Sequence, residues 1–137
     1  MLRRINWIAV VVAFVLLEIL GFLWYGPLFG ARWMAEQGTP SDPKSEQFAL
    51  GVGALVTILT VLGLAWLLRR LGATSLQAGL SAAFAAWVFF NFTTMALDYL
   101  FMGQTVVFVA INMGYQLVSY LIAGAVLGLI RPKTTAP

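Results

Sequence analysis

Four long apolar stretches constrain the fold of this 137-residue chain more than any other feature. They cover residues 5–29, 47–68, 75–101 and 104–130. A helix needs about 20 mostly apolar residues to cross the hydrocarbon core of a bilayer, which is about 30 Å thick. The sequence therefore predicts an all-α, polytopic membrane protein. We expect a single domain over residues 1–137, with four transmembrane helices in an up-down bundle.

Composition excludes several other classes of protein. Hydrophobic residues make up 61% of the chain and charged residues only 9%, whereas a soluble domain carries about 25% charged residues. The net charge of +3 comes from scattered residues that form no patch for nucleic acid. The chain has no cysteine and no histidine, which removes thiolate metal sites and the usual imidazole ligand. We expect no metal, no cofactor and no nucleic-acid partner.

Basic residues predict the orientation of the spans. Four spans place the two termini and the segment between the second and third spans on one side of the membrane. These segments carry six of the eight basic residues: Arg3, Arg4, Arg69, Arg70, Arg131 and Lys133. Cytoplasmic segments are enriched in Lys and Arg. Both termini are therefore expected in the cytoplasm, and the loop of residues 30–46 outside it.

Local signals predict how the first hairpin turns. Gly26 and Pro27 should kink or end the first span, because Pro lacks an amide proton and crowds the preceding turn. Asp42 is the predicted N-cap of the second span, with Pro43 at its first helical position. Residues 32–34 form either a short amphipathic turn at the interface or part of an ordinary connecting loop, and the second interpretation is favoured.

The two hairpins resemble each other weakly. Residues 23–30 are similar to residues 97–103, and the four residues 61–64 recur as 126–129. The chain is therefore either a pair of parallel-repeated helical hairpins, with an axis along the membrane normal, or a chance match between apolar sequences.

Polar side chains within the spans are informative because lipid penalises them. Each span carries them on one helical face, which predicts stripes that face the bundle interior or a neighbouring chain. The stripes are Glu18, Gly21 and Tyr25; Thr57 and Thr60; Asn91, Thr94 and Asp98; and Asn112, Gln116 and Ser119. Most of these residues are expected to join helices by hydrogen bonds, and Asp98 is expected at a solvated helix end.

Glu18, Trp87, Asn91 and Gln116 fall at similar depths, roughly 18 to 24 Å from the cytoplasmic edge at the helical rise of about 1.5 Å per residue. This predicts a polar cluster within the membrane. Glu18 has two interpretations. It is either a neutral carboxyl that hydrogen-bonds Gln116 or Asn91 and holds helices together, or a proton or cation site. The first is favoured, because the cluster contains no second acid.

Small residues predict close helix packing. Gly124 and Gly128 form a GxxxG pair in the fourth span, and Ala82 and Ala86 lie in the alanine-rich third span. Such residues let two helix backbones approach. They could serve contacts within the bundle or with another chain.

Several motifs together are similar to one known family. They are Asn6-Trp7, the stretch 21–30 containing Trp-Tyr-Gly-Pro-Leu-Phe-Gly, Trp33-Met34, residues 98–101 and residues 111–115. The chain resembles the bacterial membrane family called domain of unknown function 1761 over nearly its whole length. The resemblance implies four spans and a bacterial cytoplasmic membrane. It implies no activity, so no functional residue is transferred from it.

Two functions remain open. The favoured one is a small non-catalytic integral membrane protein that acts by helix packing, as a homo-oligomer or an accessory subunit of a larger membrane complex. The alternative is a small proton- or cation-coupled transporter or channel that uses Glu18 in an oligomeric bundle. An enzyme is disfavoured, because the sequence offers no pairing of nucleophile and base.

Overall fold

The computed structural model describes residues 5–130, and this part of the chain is all-helical. Two segments of π-helix, Trp24–Leu28 and Trp87–Phe92, interrupt the first and third spans. The α-helices are α1 (Trp7–Leu23), α2 (Gly30–Gln37), α3 (Glu46–Arg70), α4 (Leu76–Ala86), α5 (Thr93–Phe101) and α6 (Val106–Leu129).

Four helical stretches are long and apolar enough to cross a membrane, as the sequence predicts. Their bounds differ by a few residues at most from the expected ones: Trp7–Leu28, Glu46–Arg70, Leu76–Phe101 and Val106–Leu129. The protein is thus a multi-pass membrane protein.

The connection between the first two spans differs from the expected loop. Residues 30–37 form the short helix α2. Trp33 and Glu36, three residues apart, are half-buried on one face, whereas Arg32 and Met34 are exposed. This is the pattern of an amphipathic helix that packs on one side, so the expectation of an ordinary loop at residues 32–34 is wrong.

The predicted cap of the second span is wrong. Asp42 pairs with Lys44 instead. Ser45 caps α3, and its hydroxyl accepts the Phe48 amide at 3.1 Å. Helix α3 therefore begins at Glu46, and Pro43 lies before the cap rather than inside the helix.

The two ends of the described chain lie at the same end of the bundle. Asn6 caps α1 through its Oδ1 and donates from Nδ2 to the Ile130 carbonyl at 3.0 Å, which ties the start of α1 to the end of α6. We call this end, with the 71–75 turn, the basic end. The opposite end, which carries α2 and residues 38–45, is the loop end.

Helix α6 is the centre of the bundle, because it packs against α1, α3 and α4. The apolar core fills the half near the basic end, and α3 contributes buried residues only from its second half. Near the loop end, α3 diverges from the bundle, and α5 contributes no buried residue. The core consists of Ile5, Val10, Ala13, Leu17, Val61, Leu64, Ala65, Ala83 and Ala123.

The GxxxG pair packs within the chain. A Cβ added at Gly124 would lie 2.5 Å from the Gly79 carbonyl oxygen and 2.6 Å from the Ala83 Cβ. One added at Gly128 would lie 2.3 Å from the Ser75 carbonyl oxygen. The backbones of α4 and α6 are therefore in contact, and only glycine fits at this crossing.

The partner residues on α4 differ in part from those predicted. Gly79 and Ala83 face the two glycines of α6, rather than Ala82, which is half-buried. Ala86 packs against the edge of the core. The alanine-rich sequence of α4 presents small residues on several faces, so periodicity alone could not select the contacting face.

The kink predicted at Gly26 and Pro27 is confirmed. Gly26 has φ −110° and ψ −105°, outside the helical region, within the π-helical segment Trp24–Leu28. The second segment, Trp87–Phe92, contains neither Gly nor Pro. Nothing in the sequence predicted that interruption of the third span.

Candidate functional site: an aromatic cluster and an exposed carboxyl group

Six aromatic side chains meet where the first span, α2 and α6 converge at the loop end. Tyr25 lies between Trp33 and Tyr115, with ring centroids 5.2 and 5.1 Å away. Trp33 stacks on Phe108 at 5.8 Å with an interplanar angle of 18°. We call this set the aromatic cluster: Trp24, Tyr25, Phe29, Trp33, Phe108 and Tyr115.

Asn112 is the polar centre of the aromatic cluster. Its Oδ1 accepts the Tyr25 hydroxyl at 2.7 Å and the Trp33 indole N–H at 3.1 Å. Trp24 donates to the neighbouring Ile111 carbonyl at 3.0 Å. These bonds join the π-helical segment Trp24–Leu28, α2 and α6, so Asn112 holds helices together, as expected.

Two glycines make room for the aromatic rings. A Cβ at Gly114 would lie 3.1 Å from the Trp24 ring, and one at Gly21 would lie 3.1 Å from the Tyr115 hydroxyl. Tyr115 reaches across to the Leu17 carbonyl at 3.4 Å. The close approach of the first span to α6 therefore depends on these small residues.

Helix α2 is held on α6 by a polar contact outside the spans. Arg32 pairs with Glu36 at 3.0 Å within α2. A hydrogen bond from Thr105 has the largest effect on the Glu36 carboxyl and holds its pKa below the usual range. Desolvation opposes this effect, and the interactions with Arg32 lower the pKa further. Thr105 also caps α6, where its hydroxyl accepts the Phe108 amide.

Glu18 does not join the bundle interior. It is exposed, about halfway along the first span, on the same outward face of α1 as Val11, Val15 and Phe22. Of the two orientations left open for the polar stripe of the first span, Gly21 and Tyr25 take the inward one and face α6, whereas Glu18 points away from the bundle. Glu18 interacts electrostatically with Tyr115 of α6.

The predicted four-residue cluster is not assembled around Glu18. Trp87 and Asn91 lie in the π-helical segment, which packs on α6, whereas α1 packs on α3 and α6. The hydrogen bonds of residues 5–130 include none between Glu18 and Asn91 or Gln116. The helical rise predicts the depth of each residue in the membrane. It does not predict on which side of the bundle axis a residue lies.

Trp87 and Asn91 have a feature of their own. The Trp87 Nε1 and the Asn91 Oδ1 are buried without a hydrogen-bond partner among the described residues. Gln116 is half-buried on α6. Buried polar atoms are nearly always paired in proteins. Within residues 5–130, the buried side-chain polar atoms without a hydrogen-bond partner are these two and the Ser119 hydroxyl oxygen.

The remaining polar residues have local roles. The Thr94 hydroxyl bonds to the Phe90 carbonyl of its own helix, and Thr57 and Thr60 do the same in α3. Asp98 is exposed near the end of α5, as expected for a solvated helix end. Ser119 is buried beside the Tyr115 hydroxyl.

The sequence pattern places Tyr25 on the polar stripe of the first span and favours a loop for Trp33. It assigns no role to the other four aromatic residues of the cluster: Trp24, Phe29, Phe108 and Tyr115. The available signal on α6 is the three-residue spacing of Asn112 and Tyr115, which puts both on one face of the helix.

The arrangement limits the chemistry that the site can perform. The indole and phenol donors of the aromatic cluster are occupied by hydrogen bonds between helices. Among residues 5–130, acidic side chains form no group of three or more that could ligate a metal ion. Glu18, exposed about halfway along the first span, is placed to meet another molecule.

Four apolar spans, the first and fourth of them joined at the loop end by the aromatic cluster, define a polytopic membrane protein of the helical-bundle class. Residues 8–128 match the family described as Protein of unknown function (DUF1761). The chain belongs to this family, which confirms the resemblance seen in its motifs. Comparison with curated proteins and with solved structures found no match.

Proposed function

We propose that this protein is a non-catalytic integral membrane protein that acts by packing against further transmembrane helices. The exposed face of α1 around Glu18 is the contact surface, and the assembly is a homo-oligomer or a larger complex in which this chain is an accessory subunit. We further propose that it lies in a bacterial cytoplasmic membrane with both termini in the cytoplasm.

The position of Glu18 carries the proposal. Exposed Val and Phe side chains are what lipid favours, so the apolar part of this face needs no partner. A carboxyl group in the middle of a span is different, because burying an ionisable side chain such as Asp in lipid costs about 2.5 to 3.5 kcal/mol on insertion scales. A neighbouring helix that hydrogen-bonds Glu18 would remove much of that cost.

Single-cysteine cross-linking tests the contact surface. The chain has no native cysteine, so Val15→Cys introduces one thiol on the Glu18 face. In a two-fold dimer the same patch contacts itself, and Val15→Cys should cross-link two copies in native membranes. Phe90→Cys is the matched control, because Phe90 is 74% exposed on the π-helical segment of the third span.

Two substitutions of Glu18 test whether its side chain forms a hydrogen bond to a neighbouring helix. Glu18→Leu should lower the native mass of the assembly, because it removes the interhelical hydrogen bond, whereas Glu18→Gln should preserve it. In a complex with other subunits, the same pair should change the yield of that defined complex. A native mass of one chain, no cross-link at position 15 and no effect of either substitution would disprove the proposal.

Glu18 also favours a second candidate, a proton- or cation-coupled transporter or channel. Its carboxyl lies about halfway along the first span and interacts electrostatically with Tyr115, whose hydroxyl is a second group able to exchange a proton. The path would run between chains of an oligomer, since Glu18 faces outward. In proteoliposomes, Glu18→Gln should abolish coupled flux while the assembly persists, and flux that survives intact would exclude Glu18 as the coupling residue.

A further inference from the structure

A cavity opens at the basic end, far from the aromatic cluster. Its volume is about 280 Å³, and it lies between the start of α1, the end of α3 and the end of α6. Ala65, Leu68 and Leu127 form its apolar wall, and Arg69 and Thr74 are polar side chains in its lining.

A tight turn shapes one side of this cavity. The Ala73 amide bonds to the Leu68 carbonyl at 2.9 Å, and the Gly72 amide bonds to the Arg69 carbonyl at 3.1 Å. These two bonds form a Schellman motif, which Gly72 permits because its φ is +67°. Because of this turn, Thr74 and the end of α3 line the same cavity.

The cavity carries a positive charge and, among the described residues, no acidic side chain in its lining. Arg69 is part of that lining, and Arg70 follows it in the sequence. Arg32 and Lys44, at the loop end, each pair with a carboxylate. Arg69 has no such partner among residues 5–130, so its charge is available to an anion from outside the chain.

The depth of the cavity matches that of lipid headgroups. Trp7 is 51% exposed and Trp66 is 39% exposed, and both lie at this end of the bundle. Exposed tryptophans mark the boundary between hydrocarbon and headgroups. The cavity is slightly smaller than typical small-molecule pockets of about 300 to 1,000 Å³, so it has room for a headgroup but not for acyl chains.

We propose that this cavity binds the anionic phosphodiester headgroup of a membrane lipid. The Arg69 guanidinium and the Thr74 hydroxyl bind phosphate oxygens, and the acyl chains extend into the surrounding bilayer. Charge-assisted hydrogen bonds from arginine are the strong form of phosphate recognition, and basic pockets between transmembrane helices bind anionic headgroups.

Binding of short-chain phosphatidylglycerol to the purified full-length protein in neutral detergent tests the proposal. Phosphatidylcholine of the same chain length is the headgroup control. One basic residue near the surface contributes about 1 kcal/mol of attraction, or about fivefold in affinity. Arg69→Ala should therefore weaken phosphatidylglycerol binding at least fivefold. Arg70→Ala is the matched control, because Arg70 lies over the Trp66 ring at 5.8 Å and is outside the cavity lining.

A second variant, Ala73→Leu, keeps every charge of the protein. It tests the cavity independently of whether Arg69→Ala folds. Ala73→Leu fills the cavity and should also abolish the preference for phosphatidylglycerol, whereas Ala31→Leu, exposed at the loop end, should leave it unchanged. Equal losses in Arg69→Ala and Arg70→Ala, or full binding by Ala73→Leu, would overturn the proposal. Binding of soluble glycerol phosphate as tight as that of the lipid would instead assign the cavity to free organic phosphates and refute the lipid assignment.

Discussion

Asn112 shows how a single side chain can organise one end of a membrane protein. Its carbonyl oxygen accepts hydrogen bonds from Tyr25 and Trp33, which lie on two different helical elements. Asn91 has the same side chain on another helix, but its Oδ1 has no partner within the described residues. The same residue type therefore has opposite expected effects on stability at the two positions.

This contrast gives a matched pair of substitutions. Asn112→Leu should lower the free energy of unfolding by about 1 to 3 kcal/mol, because two half-buried donors lose their acceptor. Asn91→Leu should be neutral or stabilising, since it removes an unpaired polar atom. Reversible unfolding in mixed micelles measures both, and equal destabilisation by the two variants would contradict the assignment.

Glu36 and Thr105 predict a pH-dependent contact at the loop end. The folded-state pKa of Glu36 is lowered, so its contribution to stability is present above the ordinary Glu pKa of about 4.3. That contribution is lost as the pH falls through the lower, folded-state value. Contact between α2 and α6 should therefore weaken only in acid.

Thr105→Val should raise the Glu36 pKa towards its ordinary value, because it removes the principal hydrogen bond that lowers it. Thr105→Ser keeps the hydroxyl and should leave the pKa low. Carboxyl NMR titration of Glu36 distinguishes the two. An unchanged pKa in Thr105→Val would show that Arg32, rather than Thr105, dominates.

At the scale of elements, the crossing of α4 and α6 is the closest contact in the bundle. Backbone meets backbone at Gly79, Gly124 and Gly128, so no flexible side chain is available to move aside. Glycines on α3 differ, since a Cβ at Gly63 would meet no atom within 4 Å. Helices of similar composition thus use their glycines for different purposes.

Gly124→Ala should destabilise the protein by about 1 to 3 kcal/mol, because the added methyl group forces α4 and α6 apart. Gly63→Ala should be neutral or stabilising by up to about 1 kcal/mol, the gain in helix propensity. Unfolding in mixed micelles compares the two. A stable Gly124→Ala variant would mean that the two helices can separate without cost.

For the whole molecule, all four spans are anchored at the basic end, where the core lies, while α3 and α5 diverge at the loop end. The hydrogen bond from Asn6 to Ile130 places both ends of the described chain on one side. Six basic residues flank that side, and this asymmetry sets the proposed orientation.

Thiol labelling of intact cells tests the orientation. Leu71→Cys, in the turn at the basic end, should be labelled by a membrane-impermeant reagent only after the cells are opened. Thr39→Cys, at the loop end, should be labelled in intact cells. The reverse pattern would place the basic end outside the cytoplasm and refute the proposed orientation.

The sequence by itself determined the four spans, the kink at Gly26 and Pro27 and the family. Each depends on local properties: the length of apolar runs, the missing amide of proline and a contiguous motif. Helix α2 and the cap at Ser45 also depend on local sequence. They were not predicted, because residues 32–34 also suit a connecting loop and Asp42 is also a good N-cap residue.

Only the tertiary structure decided which polar residues meet. Helical periodicity gives the depth of a residue and its face, but not the rotation of one helix against another. Glu18 and Tyr25 lie on one predicted stripe, yet Tyr25 bonds to Asn112 and Glu18 is exposed. The two residues differ because Tyr25 lies in the π-helical segment Trp24–Leu28, which changes the helical register after α1. The contacts of Gly21, Gly114 and the aromatic rings then hold the first span on α6, and these residues become neighbours only in the folded bundle.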